Sequence, residues 1–196
     1  MSGASHPLRL TNPGVGRCST ELRFKSIKEA ALSFVFAALY VVAVVALAPI
    51  SFTVFQVRVG DALLPLAIMF GWPSVMGLTV GAAVANIFGG LGPVDIIGGS
   101  LANFLATWLG WKVSRRGFRN GWILALTLQV MLVTAIVGSY LSLLLSIPVA
   151  FSILGVFIGS VIAIGILGSL LLAALSRPVI TRTLQALGVK VYLKER

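Results

Sequence analysis

From Ser33 to Ala173 the chain is almost one continuous apolar run, and that run decides what it can fold into. Only two of its carboxylates, Asp61 and Asp95, fall inside the run. A soluble domain of 196 residues that is 58% hydrophobic would leave too much apolar surface wet, because its surface-to-volume ratio is too high. Lipid as the solvent removes that difficulty. A β-barrel wall needs period-two alternation, whereas these segments are solidly apolar. The sequence therefore predicts an all-α integral membrane protein.

A membrane-spanning helix takes about 20 mostly apolar residues. Gly, Pro and short polar breaks divide the run into six spans: Ile27 to Ala48, Asp61 to Phe70, Pro73 to Phe88, Val94 to Val113, Gly121 to Leu145, and Val149 to Leu175. The second is too short to cross unaided, so it tilts, takes in part of the preceding segment, or crosses a thinned bilayer. Residues 1–22 read as a mobile polar tail, 23–176 as the membrane domain and 177–196 as a basic tail.

Charge then orients the bundle. Arg9, Arg17, Arg23, Lys25 and Lys28 precede the first span. Lys112, Arg115, Arg116 and Arg119 fill the connection between spans four and five, and Arg177, Arg182, Lys190, Lys194 and Arg196 follow the sixth. Six spans put all three clusters on one side, which the positive-inside rule makes cytoplasmic, termini included. Arg58 alone lies on the other side. The net charge of +10 has no basic, aromatic-laced folded surface to go with it, so it marks topology and contact with anionic lipid rather than nucleic acid.

Enzyme readings lack parts. The one histidine, His6, is in the tail, and Cys18 is the one cysteine, so neither a Ser-His pair nor a metal site is expected inside the membrane. No G-x-x-x-x-G-K-[ST] loop is present, which excludes ATP hydrolysis through a P-loop.

The polar residues of the spans fall at one depth, near the outer side. They are Arg58 and Asp61, then Asn86, then Asp95, Ser100 and Asn103 in span four, with Ser139, Tyr140 and Ser142 in span five. Polar groups inside a membrane are costly and default to functional candidates. Groups converging from several helices describe an outward-facing pocket. Over it, Phe55, Val57 and Val59 alternate with Gln56, Arg58 and Gly60, the period of an extended lid. Other readings stand beside this one. Asp61 and Asp95 can cap helices, Arg58 can pair with Asp61, and Asn86 and Asn103 can be interhelical glue. Tyr140 and the four tryptophans fit an interfacial aromatic belt.

Small residues repeat every four positions, as in Gly77, Gly81, Ala85 and Gly89, and such stripes let helices approach closely. Span one has a similar face, Ala30, Ser33 and Ala37, that can serve a partner helix.

The run A-P-I-S-F-T-V-F-Q-V-R-V-G-D-A-L, Ala48 to Leu63, resembles the QueT family. The likeness continues through G-L-T-V-G-A-A-V-A-N, Gly77 to Asn86, and L-G-P-V-D-I-I-G-G-S-L-A, Leu91 to Ala102. Two departures stand out: Asp61, preceded by Gly60, replaces a usual Glu preceded by Ser or Thr, and the A-x-x-x-A-type face of span one reads Ser33 to Ala37. The resemblance implies a substrate-binding S component of an energy-coupling factor (ECF) transporter for queuosine precursors, multi-pass in a prokaryotic cell membrane. It further implies docking through the span-one face on a transmembrane T subunit with two ATPases, which use the ATP; no cofactor is implied in this chain. An S component for another vitamin-sized solute, or a membrane scaffold, are the alternatives.

The topology has a direct check. In a Cys18→Ala background, cysteines placed at Ser5, Ser114 and Thr183 should resist an impermeant thiol reagent in intact cells. Labelling of the Ser114→Cys variant from outside would rule out six spans.

Overall fold

The computed structural model describes residues 16–47, 58–116 and 120–192, with the side chains of the first helix from residue 27 onward. Helix α1, Gly16–Ala46, is uninterrupted because no Gly or Pro follows Gly16 until Pro49. It begins inside the stretch expected to be tail: residues 17–26 lack a helix breaker, so the helix runs on beyond the apolar span. The lid expected over Phe55 to Gly60 falls largely outside the described residues.

Helix α2, Val59–Phe70, starts as a tight 3-10 turn, Val59–Leu63, and ends as the α-helix Leu66–Phe70. Pro65, lacking an N–H, stands at the change of winding. Gly71, at φ 65°, ends α2 and turns the chain into α3, Trp72–Gly89. Then come α4, Pro93–Ser114, and α5, Gly121–Leu145. Helix α6 occupies Val149–Leu175 and contains a π-helical stretch, Val161–Gly168. A short amphipathic helix, α7, Pro178–Ala186, follows where a plain basic tail was expected.

These elements match the expected spans closely, and among the described residues every regular element is helical. Among the described residues, four helices are long and apolar enough to cross a membrane: Ile27–Ala46 of α1, α3, α5 and α6. Helix α4 has 22 residues, a sufficient length, but is more polar, and the 12 residues of α2 are too few to cross alone.

Polarity is arranged inside out. Phe34, Ile97, Phe151 and Leu170 are each more than 60% exposed, while Arg58, Asp61, Asn86, Asp95, Asn103 and Gln129 are buried. No soluble monomer tolerates so much apolar surface facing outward. In lipid the arrangement is the favourable one, since buried polar groups find partners and apolar ones need none.

The helices pack in the sequence α1–α3–α4–α5–α6. Helix α2 bridges α1 to the π stretch of α6 and rests its second half on α4. At one end of the bundle, Lys28 of α1 donates from Nζ to the Leu187 carbonyl at 3.1 Å, and the Tyr192 amide donates to Met69 at the α2–α3 corner at 2.8 Å. The Tyr192 ring meets Trp111, near the end of α4, at 5.7 Å. Lys28 of α1, the end of α4 and the segment after α6 therefore gather at the same end.

The α1–α3 contact is made at backbone distance. A methyl group on Gly77 would collide with the Ser33 carbonyl, and one on Gly81 would come within 3.0 Å of the Ala37 carbonyl. The Ser33–Ala37 stretch is thus already seated on the α3 glycines, while Ala30 is exposed. Gly77→Ala should lower stability in detergent by about 1–3 kcal/mol through overpacking. Gly165→Ala, whose methyl would meet only Val161 Cγ1 at 3.8 Å, should be neutral or gain up to about 1 kcal/mol from helix propensity. Equal thermal unfolding of the Gly77→Ala variant and the parent would refute the close α1–α3 approach.

Candidate functional site

At the end of the bundle away from Tyr192, the buried polar residues converge around two carboxylates. Asp95 lies in the first turn of α4, where the helix dipole favours a negative charge. Its side chain does not cap the helix, however. Oδ1 instead accepts from Arg58 Nη2 at 3.3 Å and from the Tyr140 hydroxyl at 2.8 Å. The Asp95 main-chain carbonyl accepts from Asn86 Nδ2 at 2.7 Å. Arg58 thus forms its ion pair with Asp95, across to α4.

Asp61 has a different setting. It sits in the 3-10 turn that opens α2 and makes no side-chain cap. Its Oδ1 accepts from the Tyr40 hydroxyl at 2.6 Å, the one hydrogen bond to this carboxylate among the described residues. Asp95 is therefore fastened by two donors from other elements, and Asp61 by one.

Glycines make the convergence possible. A side chain at Gly99 would strike the Asn86 amide and come within 3.3 Å of Arg58 Nη1 and 3.4 Å of the Tyr140 hydroxyl. At Gly98 it would meet the Tyr140 ring. The Gly98-Gly99 pair opens the surface of α4 to residues of α3, α5 and the chain before α2.

Next to this cluster is a narrow cleft lined by Arg58, Asp61, Asn103, Val133, Val137, Val156 and Ser160. It is closed down and leaves no room for a water-sized molecule. Its polar end combines a carboxylate, a guanidinium, a carboxamide and a hydroxyl; its walls are three valines. Asn103 Nδ2, Asp95 Oδ2 and Asn86 Oδ1 are buried without hydrogen-bond partners among the described residues. Native interiors rarely leave buried polar atoms unmatched, and several in one place mark a site built for something else. One guanidinium against two carboxylates leaves a formal charge of minus one, which favours a donor-rich or cationic guest.

Of the six expected site residues, Arg58, Asp61 and Asn103 line the cleft, and Asn86 and Asp95 form the layer that holds Arg58. Ser100 bonds the Ile96 and Ile97 carbonyls of its own helix and lies outside the lining. Two participants were not foreseen, Tyr40 and Ser160, and Tyr140 of the expected polar layer turns out to be a partner of Asp95. Tyr40 is fully buried. Ser160, just before the π stretch, completes the lining. Tyr40 had a readable signal: a hydroxyl in the middle of an apolar span needs a buried partner. Among the described residues no three His, Cys, Asp or Glu side chains group as metal ligands would.

The sequence pattern of the QueT transporter family matches residues 30–177, a range that includes every residue of the cleft and of the layer behind it. No curated protein and no solved structure matches the chain. With a match over most of its 196 residues, centred on a buried polar cleft in an apolar helical bundle, this chain belongs to the QueT transporter family.

Proposed function

We propose that the chain is the solute-binding S component of an ECF transporter and that its solute is a 7-deazaguanine precursor of queuosine. The observation that carries the solute assignment is that Asp61, Asn103 and Arg58 line one narrow, valine-walled cleft. A guanine-like base presents an N–H and an amino group side by side, and a carboxylate accepts both. Its carbonyl oxygen needs a donor, which Asn103 Nδ2 and the Arg58 guanidinium provide. The residual negative charge suits an aminomethyl cation on the base. Ser100, satisfied within α4, has no part in this reading.

The proposed topology has six crossings and cytoplasmic termini. It is supported by the gathering of Lys28, Trp111 with its neighbouring basic residues, and Tyr192 at one end. Helices α2 and α4 are the two crossings that fall short of the simple length and hydropathy requirement. Helix α2 falls short in length, and α4 in hydropathy because it carries Asp95 and Asn103. The sequence contains no P-loop, so the energy for uptake is assigned to a T subunit with two ATPases. The docking face on α1 is assigned to the lipid-facing side around Ala30, since Ser33 and Ala37 are partly buried against α3.

Ligand-dependent unfolding of the purified chain tests the solute. A saturating 7-aminomethyl-7-deazaguanine, at about 100 times its Kd, should stabilise the protein by about 2.7 kcal/mol. The analogue lacking the exocyclic amino group should do so far less. Asp61→Asn should keep the fold and lose about tenfold to a hundredfold in affinity, because one acceptor becomes a donor facing a donor. Asp95→Asn should instead lower the stability of the unliganded protein by about 1.5–3 kcal/mol, by weakening its hold on Arg58. Full affinity in Asp61→Asn would remove this carboxylate from the site.

Transport provides a separate measurement. In proteoliposomes, concentrative uptake should require the T subunit and both ATPases in addition to this chain. Accumulation against a gradient by the chain alone would end the ECF assignment.

A further inference from the structure

The end of the bundle opposite the cleft holds a second concentration of chemistry. Trp111 is near the end of α4, followed by Lys112 and Arg115, and the segment after α7 lays Lys190 and Tyr192 over them. The Arg115 guanidinium is 5.0 Å from the Tyr192 ring centre and 5.6 Å from that of Trp111. Lys190 Nζ is 4.9 Å from the Tyr192 ring, and Lys112 Nζ is 5.8 Å from that of Trp111. All three cations are exposed on this aromatic pair.

Like charges held this close repel, and cation–π attraction offsets only part of the cost. No carboxylate relieves it among the described residues, where the single ion pair is Arg58–Asp95 at the far end. Trp111 is 91% buried, and its Nε1 has no acceptor among the described residues. The cluster therefore brings a guanidinium and two ammonium groups together without an opposing carboxylate among the described residues. Such a set calls for an anion with several oxygens. Arg matches a phosphate through two N–H groups, and Lys adds a point charge.

The surroundings narrow the choice of anion. Paired aromatic rings beside basic residues at the end of an apolar bundle sit at headgroup depth. Just beside them the amphipathic α7 and the residue that ends it leave Val179 and Leu187 more than 60% exposed, a surface that lies along a membrane rather than in water. The geometry points to a binding site for the phosphate headgroup of an anionic phospholipid, held by Arg115 and Lys190 over the Trp111–Tyr192 pair with Lys112 at its edge. The site requires only that the chain be in a bilayer, and is independent of the solute in the cleft.

The full chain in a neutral detergent, titrated with lipid, provides the test. Phosphatidylglycerol should raise the unfolding temperature more than phosphatidylcholine at the same mole fraction, and inorganic phosphate should not raise it. Arg115→Gln and Lys190→Gln should each remove at least half of the difference between the two lipids. Arg182→Gln, which removes an equal charge from the exposed face of α7 outside the cluster, should leave the difference intact. Should Arg115→Gln fail to fold, Lys190→Gln decides alone, since it leaves the Arg115–ring stack in place. Equal shifts with both lipids would overturn the site. So would an Arg182→Gln effect as large as that of Lys190→Gln, the mark of diffuse attraction. Stabilisation by inorganic phosphate to the extent given by phosphatidylglycerol would overturn the lipid assignment.

Discussion

Arg58 and Asp95 meet at 3.3 Å in a bundle whose other described charges lie mostly at its opposite end. Burying such a pair costs several kcal/mol of desolvation per ion, so the pair is a poor source of net stability. What it supplies is position. Arg58 stands immediately before α2, Asp95 opens α4, and Tyr140 of α5 donates to the same Asp95 oxygen. Asn86 of α3 is tied to the main chain of the same residue. Helices α3 and α5 and the entry to α2 are thereby all tied to one residue of α4, beside the cleft.

The second carboxylate depends on this arrangement without sharing in it. Asp61 is held by Tyr40 and faces the cleft, so it can take a new partner without breaking an ion pair. Two acids of the same chemistry thus divide the work between framework and contact, and the difference arises from which elements each can reach. Gln129 has a comparable framework role deeper in the bundle, where its Nε2 donates to the Leu64 carbonyl next to Pro65.

Much of this was legible in the sequence because lipid imposes a strict rule. Spans must be apolar and breaks must carry Gly, Pro or charge, so the expected ends of α3, α4, α5 and α6 lie within a residue or so of the observed ones. The depth of the polar layer was legible for the same reason. Pairings were not. Spacing along a chain does not say that Arg58 reaches Asp95 instead of Asp61, three residues away, because that depends on how α2 enters the bundle. Nor does it say which carboxylate a tyrosine near the interface will reach, as Tyr140 reaches Asp95. The π stretch of α6 has no composition of its own: Val161–Gly168 reads as ordinary apolar helix, and it winds differently where it packs against α2. Helix α7 was hidden in a segment read only for its charge.

The two sides of the cleft differ in how freely they can drift during evolution. At the polar end a single added methyl group at Gly99 would displace Asn86 and crowd Arg58 and Tyr140 at once, so substitutions there are vetoed by several neighbours together. The opposite wall consists of Val133, Val137 and Val156, apolar side chains for which exchanges of similar volume cost little. Lineages descended from a chain like this one would therefore diversify by resizing the apolar wall around a fixed polar grip. New cargoes would be acquired through bulk and outline first, and through altered hydrogen-bonding only after Gly99 and its neighbours had changed in concert.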